Sequence, residues 1–313
     1  MRGACYITNS AMRPYETINS YLEYLEGVRH LSTHTLTAYR EDLSLYVAFL
    51  KERELPIDGV SHLDARRFAA YLIRERGFKP NSVNRKLSTL RGFYRYALNQ
   101  KIVDFNPFAR ISGTPRYRRL PEVLSRQEVK QVLSHPYNDF LGLRDALIMH
   151  LFYSTGCRMS ELLGVNINHL ELADERLKVV GKGNKERYVF INPKTKALLL
   201  EYLPLREEWL FKSGQKNNAL LVGARGNRLS PSSLHSIFER YRKELGLLKN
   251  FTPHTLRHSF ATHMLDRDSG IRVVQELLGH SSISTTQIYT HVSSARLKAV
   301  YEKTHPHGRK EDE

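Results

Sequence analysis

The sequence predicts a mainly α protein of two domains: a helical N-terminal domain, then an α-rich domain that holds a small antiparallel β-sheet. Three observations carry this prediction. Apolar residues recur at helical spacing through the first hundred residues, a proline- and arginine-rich stretch without periodicity follows, and the clearest β signal falls in the second half around a glycine-rich turn. The length of 313 residues agrees with two domains of roughly 150 residues each.

In chain order, Leu36, Tyr39, Leu43, Tyr46 and Leu50 mark one helix. Val83, Leu87, Leu90, Tyr94 and Ala97 mark another, with Asn81 as its expected N-cap. The other side of that helix carries Arg85, Lys86, Arg91 and Arg95. Such a face is either solvated surface or a contact for a polyanion. Residues 106–122 contain three prolines, Gly113 and the cations Arg110, Arg116, Arg118 and Arg119, and read as an extended basic linker. The expected boundaries are therefore 14–105 for the helical domain, 123–304 for the second domain and 305–313 for a polar tail.

The second domain opens at Ser125-Arg126-Gln127-Glu128, a capping box ahead of Val129, Val132 and Leu133. Leu143, Leu147 and Leu151 form a stripe that runs into Ser154-Thr155-Gly156. Two β runs, Leu177 to Val180 and Arg187 to Ile191, flank Gly181-Lys182-Gly183-Asn184-Lys185 and predict a hairpin. Leu256, Phe260 and Met264 mark a later helix; Val273, Val274, Leu277 and Leu278 mark the next, stopped by Gly279. Ser284 and Gln287 make a further capping box, with Ile283 and Ile288 as a staple, and place Tyr289 on a short helix. Ala295, Leu297, Val300 and Tyr301 form the last apolar pattern.

Charge narrows the partners. Lys and Arg number 48 against 32 Asp and Glu, a net +16, which points to nucleic acid or an anionic membrane surface. A hydrophobic content of 41% excludes wholesale disorder. No apolar run approaches the roughly 18 residues of a spanning helix, and the first residues lack the apolar core of a signal peptide. Secretion and membrane insertion are disfavoured. Two cysteines, Cys5 and Cys157, make no disulfide framework, so a cytoplasmic location is expected.

The residues with chemical potential are scattered. Arg158 follows the Thr155-Gly156 break, Lys182 sits at the hairpin tip, His254 and Arg257 are one helical turn apart, and His280 follows a helix stop. Each alone has an ordinary explanation: a salt bridge of Arg158 to Glu161, a solvated turn for Lys182, a cap for His254, packing for Tyr289. His254, His258 and His263 invite a zinc reading, but they lack the Cys partners of a finger and the His-Glu-x-x-His pattern of a metalloprotease. No metal site is expected.

Taken together these residues carry a resemblance. Thr155-Gly156-Cys157-Arg158-Met159-Ser160-Glu161-Leu162 resembles the first arginine motif of the tyrosine recombinases. Gly181-Lys182-Gly183-Asn184-Lys185-Glu186-Arg187 resembles their hairpin lysine motif, and His254-Thr255-Leu256-Arg257 their His-x-x-Arg box. Leu277-Leu278-Gly279-His280, followed by Tyr289, resembles their terminal box. The pattern is most similar to the Xer branch of the family.

The resemblance implies that Tyr289 attacks a DNA phosphodiester, giving a 3′-phosphotyrosyl link and a free 5′-hydroxyl. Arg158, Arg257 and His280 would stabilise the phosphorane, Lys182 would protonate the leaving oxygen, His254 would act as general acid/base, and Glu161 would orient an arginine. No ATP, metal or other cofactor is implied. It further implies a DNA clamp closed around a duplex recombination site, with the basic linker between its domains. Four protomers, as a homo- or hetero-tetramer, would meet through a Holliday junction. A sister Xer recombinase and activation by a septal DNA translocase belong to that picture, as do a nucleoid-associated location, a dif-like site and resolution of chromosome dimers before cell division. The apolar pattern after Ser293 reads as a terminal helix packed on its own domain, or, as the resemblance implies, one that docks into a neighbouring protomer. The alternatives are an integrase of a mobile element, a type IB topoisomerase, and a DNA-binding protein that has lost its chemistry. The compact N-terminus and the intact residue set disfavour them.

Overall fold

The computed structural model describes residues 13–29, 31, 33–115, 122–181, 183–266, 271–278 and 294–305. The chain divides into two compact units, Met1–Arg119 and Leu120–Glu313.

Among the described residues the first unit holds four α-helices: α1 (Arg13–Gly27), α2 (Thr33–Glu52), α3 (His62–Arg74) and α4 (Pro80–Asn99). The expected stripes face inward: Leu36, Leu43, Tyr46 and Leu50 of α2 are buried, as are Val83, Leu87, Leu90, Tyr94 and Ala97 of α4. Aromatic rings dominate the core, where Tyr46, Phe68, Phe93, Tyr94 and Phe108 are almost fully covered. Their polar ends are satisfied, as burial requires. The Tyr46 and Tyr94 hydroxyls lie 2.8 Å apart, and the Tyr94 hydroxyl lies 3.1 Å from the Ile57 carbonyl.

Two expectations are corrected here. The N-cap of α4 is Lys79, without a side-chain cap; Pro80 takes the first helical position, where its missing N–H costs nothing. Asn81 therefore lies inside the first turn. Nor are residues 106–115 a free tether. Phe108 is fully buried in the aromatic core. His62 Nδ1 lies 2.8 Å from the Pro107 carbonyl, and Asn106 donates to the Arg91 carbonyl at 3.0 Å. Asn84 donates to the Thr114 carbonyl at 2.9 Å and accepts from the Thr114 amide at 2.8 Å. One aromatic anchor and these backbone contacts override a composition that reads as a linker. Arg116, Arg118 and Arg119 lie outside the described residues.

The second unit contains α5 (Arg126–Leu133), α6 (Phe140–Thr155), α7 (Met159–Leu163), β1 (Leu170–Glu171), β2 (Arg176–Val180), β3 (Glu186–Phe190), α8 (Pro193–Lys212), α9 (Pro231–Glu244), α10 (Pro253–Leu265), α11 (Ile271–Leu278) and α12 (Ser294–Thr304). The Ser125–Glu128 capping box forms as expected. Helix α6 is the central member, buried on every side from Leu143 to Thr155; its sequence is mostly apolar, and the buried Arg144 is compensated by Asp145 at 2.8 Å. The sheet is antiparallel in the order β1-β2-β3, with Leu177 opposite Val189 and Val180 opposite Glu186. Between β2 and β3, Gly183 and Asn184 adopt φ of 74° and 58°, so the glycine-rich segment is the hairpin turn. Leu256, Phe260 and Met264 of α10 are buried, as are Val274, Leu277 and Leu278 of α11.

Helix α12 carries the last apolar pattern of the sequence. It lies on its own unit: the Tyr301 ring is buried 5.8 Å from Phe190, and Lys298 reaches the Asp174 carbonyl at 3.3 Å and Glu175 at 3.5 Å. His305, expected in a polar tail, is also buried, stacked 4.8 Å from Tyr301. Rings of this size bury more apolar surface than a polar tail composition suggests. The predicted helix start at Ser284 lies outside the described residues.

Candidate active site at the end of helix α6

Helix α6 ends at Gly156, whose φ of 59° is left-handed. A Cβ there would stand 2.5 Å from Phe260 Cδ1 and 2.8 Å from Leu278 Cδ2. Only glycine lets α6, α10 and α11 meet this closely. The chain leaves the turn through Cys157, whose fully buried thiol is pushed up to about 11 by desolvation and takes no part as a nucleophile at neutral pH. It then presents Arg158 as the N-cap residue of α7.

Arg257, on the first turns of α10, is buried and held by two carbonyls: Nη1 donates to Gly156 at 2.5 Å and Nη2 to Leu278 at 2.9 Å. Burial, and next the nearby charge of Arg158, lower its pKa to about 10. It remains a cation at neutral pH. Leu278 ends α11 and directly precedes Gly279-His280 in the chain.

Glu161 organises the other side. Its carboxylate is 2% exposed and takes four donors. The Arg158 backbone N–H and Nη1 each reach it at 2.8 Å. Arg187 approaches as a fork, Nη1 at 2.8 Å and Nη2 at 3.0 Å. Burial alone would raise the Glu161 carboxyl; the hydrogen bonds from Arg187 and Arg158 overcome it and hold it at about 2. Gly181 closes the group, since a Cβ there would lie 3.3 Å from Glu161 Oε1.

Of the expected site residues, the structure therefore brings Arg158, Glu161 and Arg257 together around Gly156. His254 lies exposed on the first turn of α10, with the His258 ring parallel to it at 6.4 Å. Burial, then the His254 charge, lowers the His258 pKa. His263 is elsewhere, buried with Nδ1 3.0 Å from the Tyr153 hydroxyl. The three histidines do not converge. Lys182, His280 and Tyr289 lie outside the described residues.

Arg187 is the residue to which sequence reasoning gave no role. The signal was available in the strand alternation: Arg187 pairs with Val179, whose side chain is fully buried, and it shares the inward face with Val189. A cation on an inward face requires a buried counter-charge.

The cationic face expected on α4 is divided. Arg95 is exposed and Arg91 half-buried. Arg85 is exposed but donates to Asp42 at 2.8 Å. Lys86 is not on that face at all: it is buried, with Nζ 2.7 Å from Asp42 Oδ1 and 4.6 Å from the Phe78 ring centroid. The α-helical period carries position 86 round to the core, where Asp42 compensates its charge.

A helical unit is thus followed by an α-rich unit whose helix turn and β-hairpin gather two arginines on one carboxylate, with Arg257 held separately beside them. Residues 122–296 match the model of the phage integrase family, and residues 18–101 match that of its N-terminal SAM-like domain. Tyrosine recombinase XerD of Oceanobacillus iheyensis is 36% identical over 291 residues, 92% of this chain and 98% of the relative. Tyrosine recombinase XerC of Thermodesulfovibrio yellowstonii is 40% identical over 299 residues, 95% of this chain and 98% of the relative. The fold is shared with XerH site-specific recombinase bound to difH substrate (TM-score 0.64, 21% identity, 95% of this chain and 97% of that one). The chain belongs to the phage integrase family. It is a tyrosine recombinase, an enzyme of site-specific DNA recombination. Among the described residues no helix is long and apolar enough to cross a membrane.

Proposed function

We propose that the chain resolves chromosome dimers by cutting and rejoining a dif-like site through a 3′-phosphotyrosyl intermediate. The observation that carries the chemistry is the placing of Arg158 and Arg257 around Gly156, one half-exposed and one buried. Two guanidinium groups placed in this way suit the non-bridging oxygens of a phosphorane, where each donor contributes about two orders of magnitude in rate. His280, two residues after the carbonyl that holds Arg257, is read as the third donor.

In the proposed step the Tyr289 oxygen bonds to phosphorus and the bond from phosphorus to the 5′-oxygen breaks. Lys182 gives its proton to that oxygen. His254, exposed at the start of α10, takes the tyrosine proton. The phosphotyrosyl bond keeps the energy of the broken one, so rejoining needs no ATP and no cofactor. Glu161 acts on Arg158, not on DNA.

The relatives named XerC and XerD span nearly the whole chain and support the Xer reading over an integrase of a mobile element. A Xer enzyme of this kind works as four protomers on two duplexes joined by a Holliday junction, alone or with a sister recombinase, under a septal DNA translocase, in the cytoplasm at the nucleoid. Two units joined through Arg116, Arg118 and Arg119 would clamp the duplex, with Arg95 and the exposed part of Arg85 as the α4 cations left to meet phosphate. Affinity should fall with salt, with a slope of about −0.9 per phosphate neutralised.

The test is a nicked suicide duplex carrying a candidate dimer-resolution site. A detergent-resistant protein–DNA band is expected in metal-free buffer and should vanish in Tyr289→Phe. A band that survives Tyr289→Phe overturns the nucleophile. A band equally strong on any duplex overturns site-specific recombination in favour of topoisomerase-like action.

A further inference from the structure

We propose that Arg187 is a positioning residue for departure of the 5′-oxygen: it clamps Glu161 from the hairpin side and so sets where the Lys182 loop stands relative to Arg158. The inference rests on the reading of Lys182 as the proton donor.

Both terminal nitrogens of Arg187 are spent on Glu161, at 2.8 and 3.0 Å, and its side chain is only 19% exposed. With its side chain largely covered and both terminal nitrogens turned to Glu161, it is placed to act through that carboxylate. A planar fork on a carboxylate fixes separation and orientation together, which a lysine at that position cannot do. The remaining donors to Glu161 come from Arg158. Glu161 is thus a rivet between the start of α7 and the base of the hairpin.

The two sides of the rivet differ in what else holds them. Arg158 keeps its backbone and side-chain contacts to Glu161 without help from β3. The hairpin tip has little support of its own, since residues 183–186 are all exposed. Its base is closed by the Gly181 amide on the Lys185 carbonyl at 2.8 Å, and Gly181 packs against Glu161. Lys182 is the next residue in the chain. Loss of the Arg187 fork therefore releases the lysine loop and leaves Arg158 seated.

A change of leaving atom separates these effects. With oxygen at the 5′ bridging position, the departing alkoxide needs a proton. With sulfur there, the phosphorus–sulfur bond breaks and a thiolate leaves without one, because thiols are far stronger acids than alcohols. The experiment measures single-turnover adduct formation by the full chain on the nicked duplex that the wild type cleaves, with oxygen or sulfur at the scissile bond. Arg187→Gln should be about 100-fold slower than wild type on oxygen and within about threefold of it on sulfur. Lys182→Ala should show the same rescue, and Arg158→Ala should stay slow on both.

Arg187→Lys keeps a cation on Glu161 and guards against loss of fold. It should show the same pattern in milder form, about tenfold slower on oxygen and not slowed on sulfur. Arginine variants slowed equally on both substrates, or on neither, would overturn the proposal. If the wild type cleaves and Lys182→Ala remains slow on sulfur, the proton-donor reading itself falls and the proposal falls with it.

Discussion

Two buried carboxylates, one in each unit, are held by the same chemistry and do different things. Asp42 is fully buried among Arg85, Lys86 and Thr89, at 2.8, 2.7 and 3.0 Å. Glu161 is 2% exposed between Arg158 and Arg187. The Asp42 cluster braces α2 against α4: it buries Lys86 and ties down one end of Arg85, two cations that the sequence offered as a DNA face. The Glu161 cluster leaves Arg158 half-exposed beside Arg257, so the carboxylate prepares a cation for a ligand. A buried carboxylate with two cations is therefore not a functional signature in itself. What separates the two cases is whether one cation still reaches solvent beside a second, independently held one.

The comparison can be broken most forcefully at Asp42. Asp42→Ala leaves Lys86 buried without its counter-charge and should lower unfolding stability by about 4 kcal/mol, with unchanged adduct rate per folded molecule. Urea denaturation of the full chain measures it, and a slowed adduct rate would erase the distinction. Gly156→Ala should cost about 3 kcal/mol, from left-handed strain and overlap with Phe260 and Leu278, and should also slow adduct formation because the Gly156 carbonyl seats Arg257. A variant that melts lower yet cleaves at the wild-type rate would detach Gly156 from the site.

Glu161→Gln should slow adduct formation about a hundredfold, an effect that the Asp42 cluster has no means to produce. The same variant reads pH. The folded carboxyl sits at about 2 against its ordinary 4.5, so the unfolded chain takes up the proton first as pH falls. The stability advantage of wild type over Glu161→Gln is then full above 4.5, worth roughly 3 kcal/mol, and gone once pH has fallen through about 2. Acid titrations of thermal unfolding for both chains test this window. Smallest of all, Arg85→Ala should cost at most about 1 kcal/mol, because its side chain is 41% exposed and Lys86 still holds Asp42. A larger loss would make Arg85 as structural as Lys86.

Much of the fold was legible because its signals are local. The α2 and α4 stripes, the Ser125–Glu128 box, the Gly156 break and the hairpin all lie within a few residues of what they specify. The departures also have local causes of error. Lys86 was placed with Arg85 because both are cations on one helix, yet the helical period turns position 86 to the core. The stretch 106–115 read as a tether because prolines and arginines outnumber its single anchor, Phe108, and His305 read as tail because nothing in the sequence shows the Tyr301 ring that covers it.

The sequence by itself determined helices α2, α4, α5, α6, α10 and α11, the hairpin, the family motifs and the identities of the cations, since each is encoded by periodicity, caps, turns or spacing along one segment. Only the tertiary structure decided how those cations are used. Arg85 and Lys86 meet Asp42 across 43 and 44 residues, and Arg187 meets Glu161 across 26. Burial makes each pairing obligatory, because a charge taken out of water must be compensated, but which partner compensates it is set by the packing of distant elements.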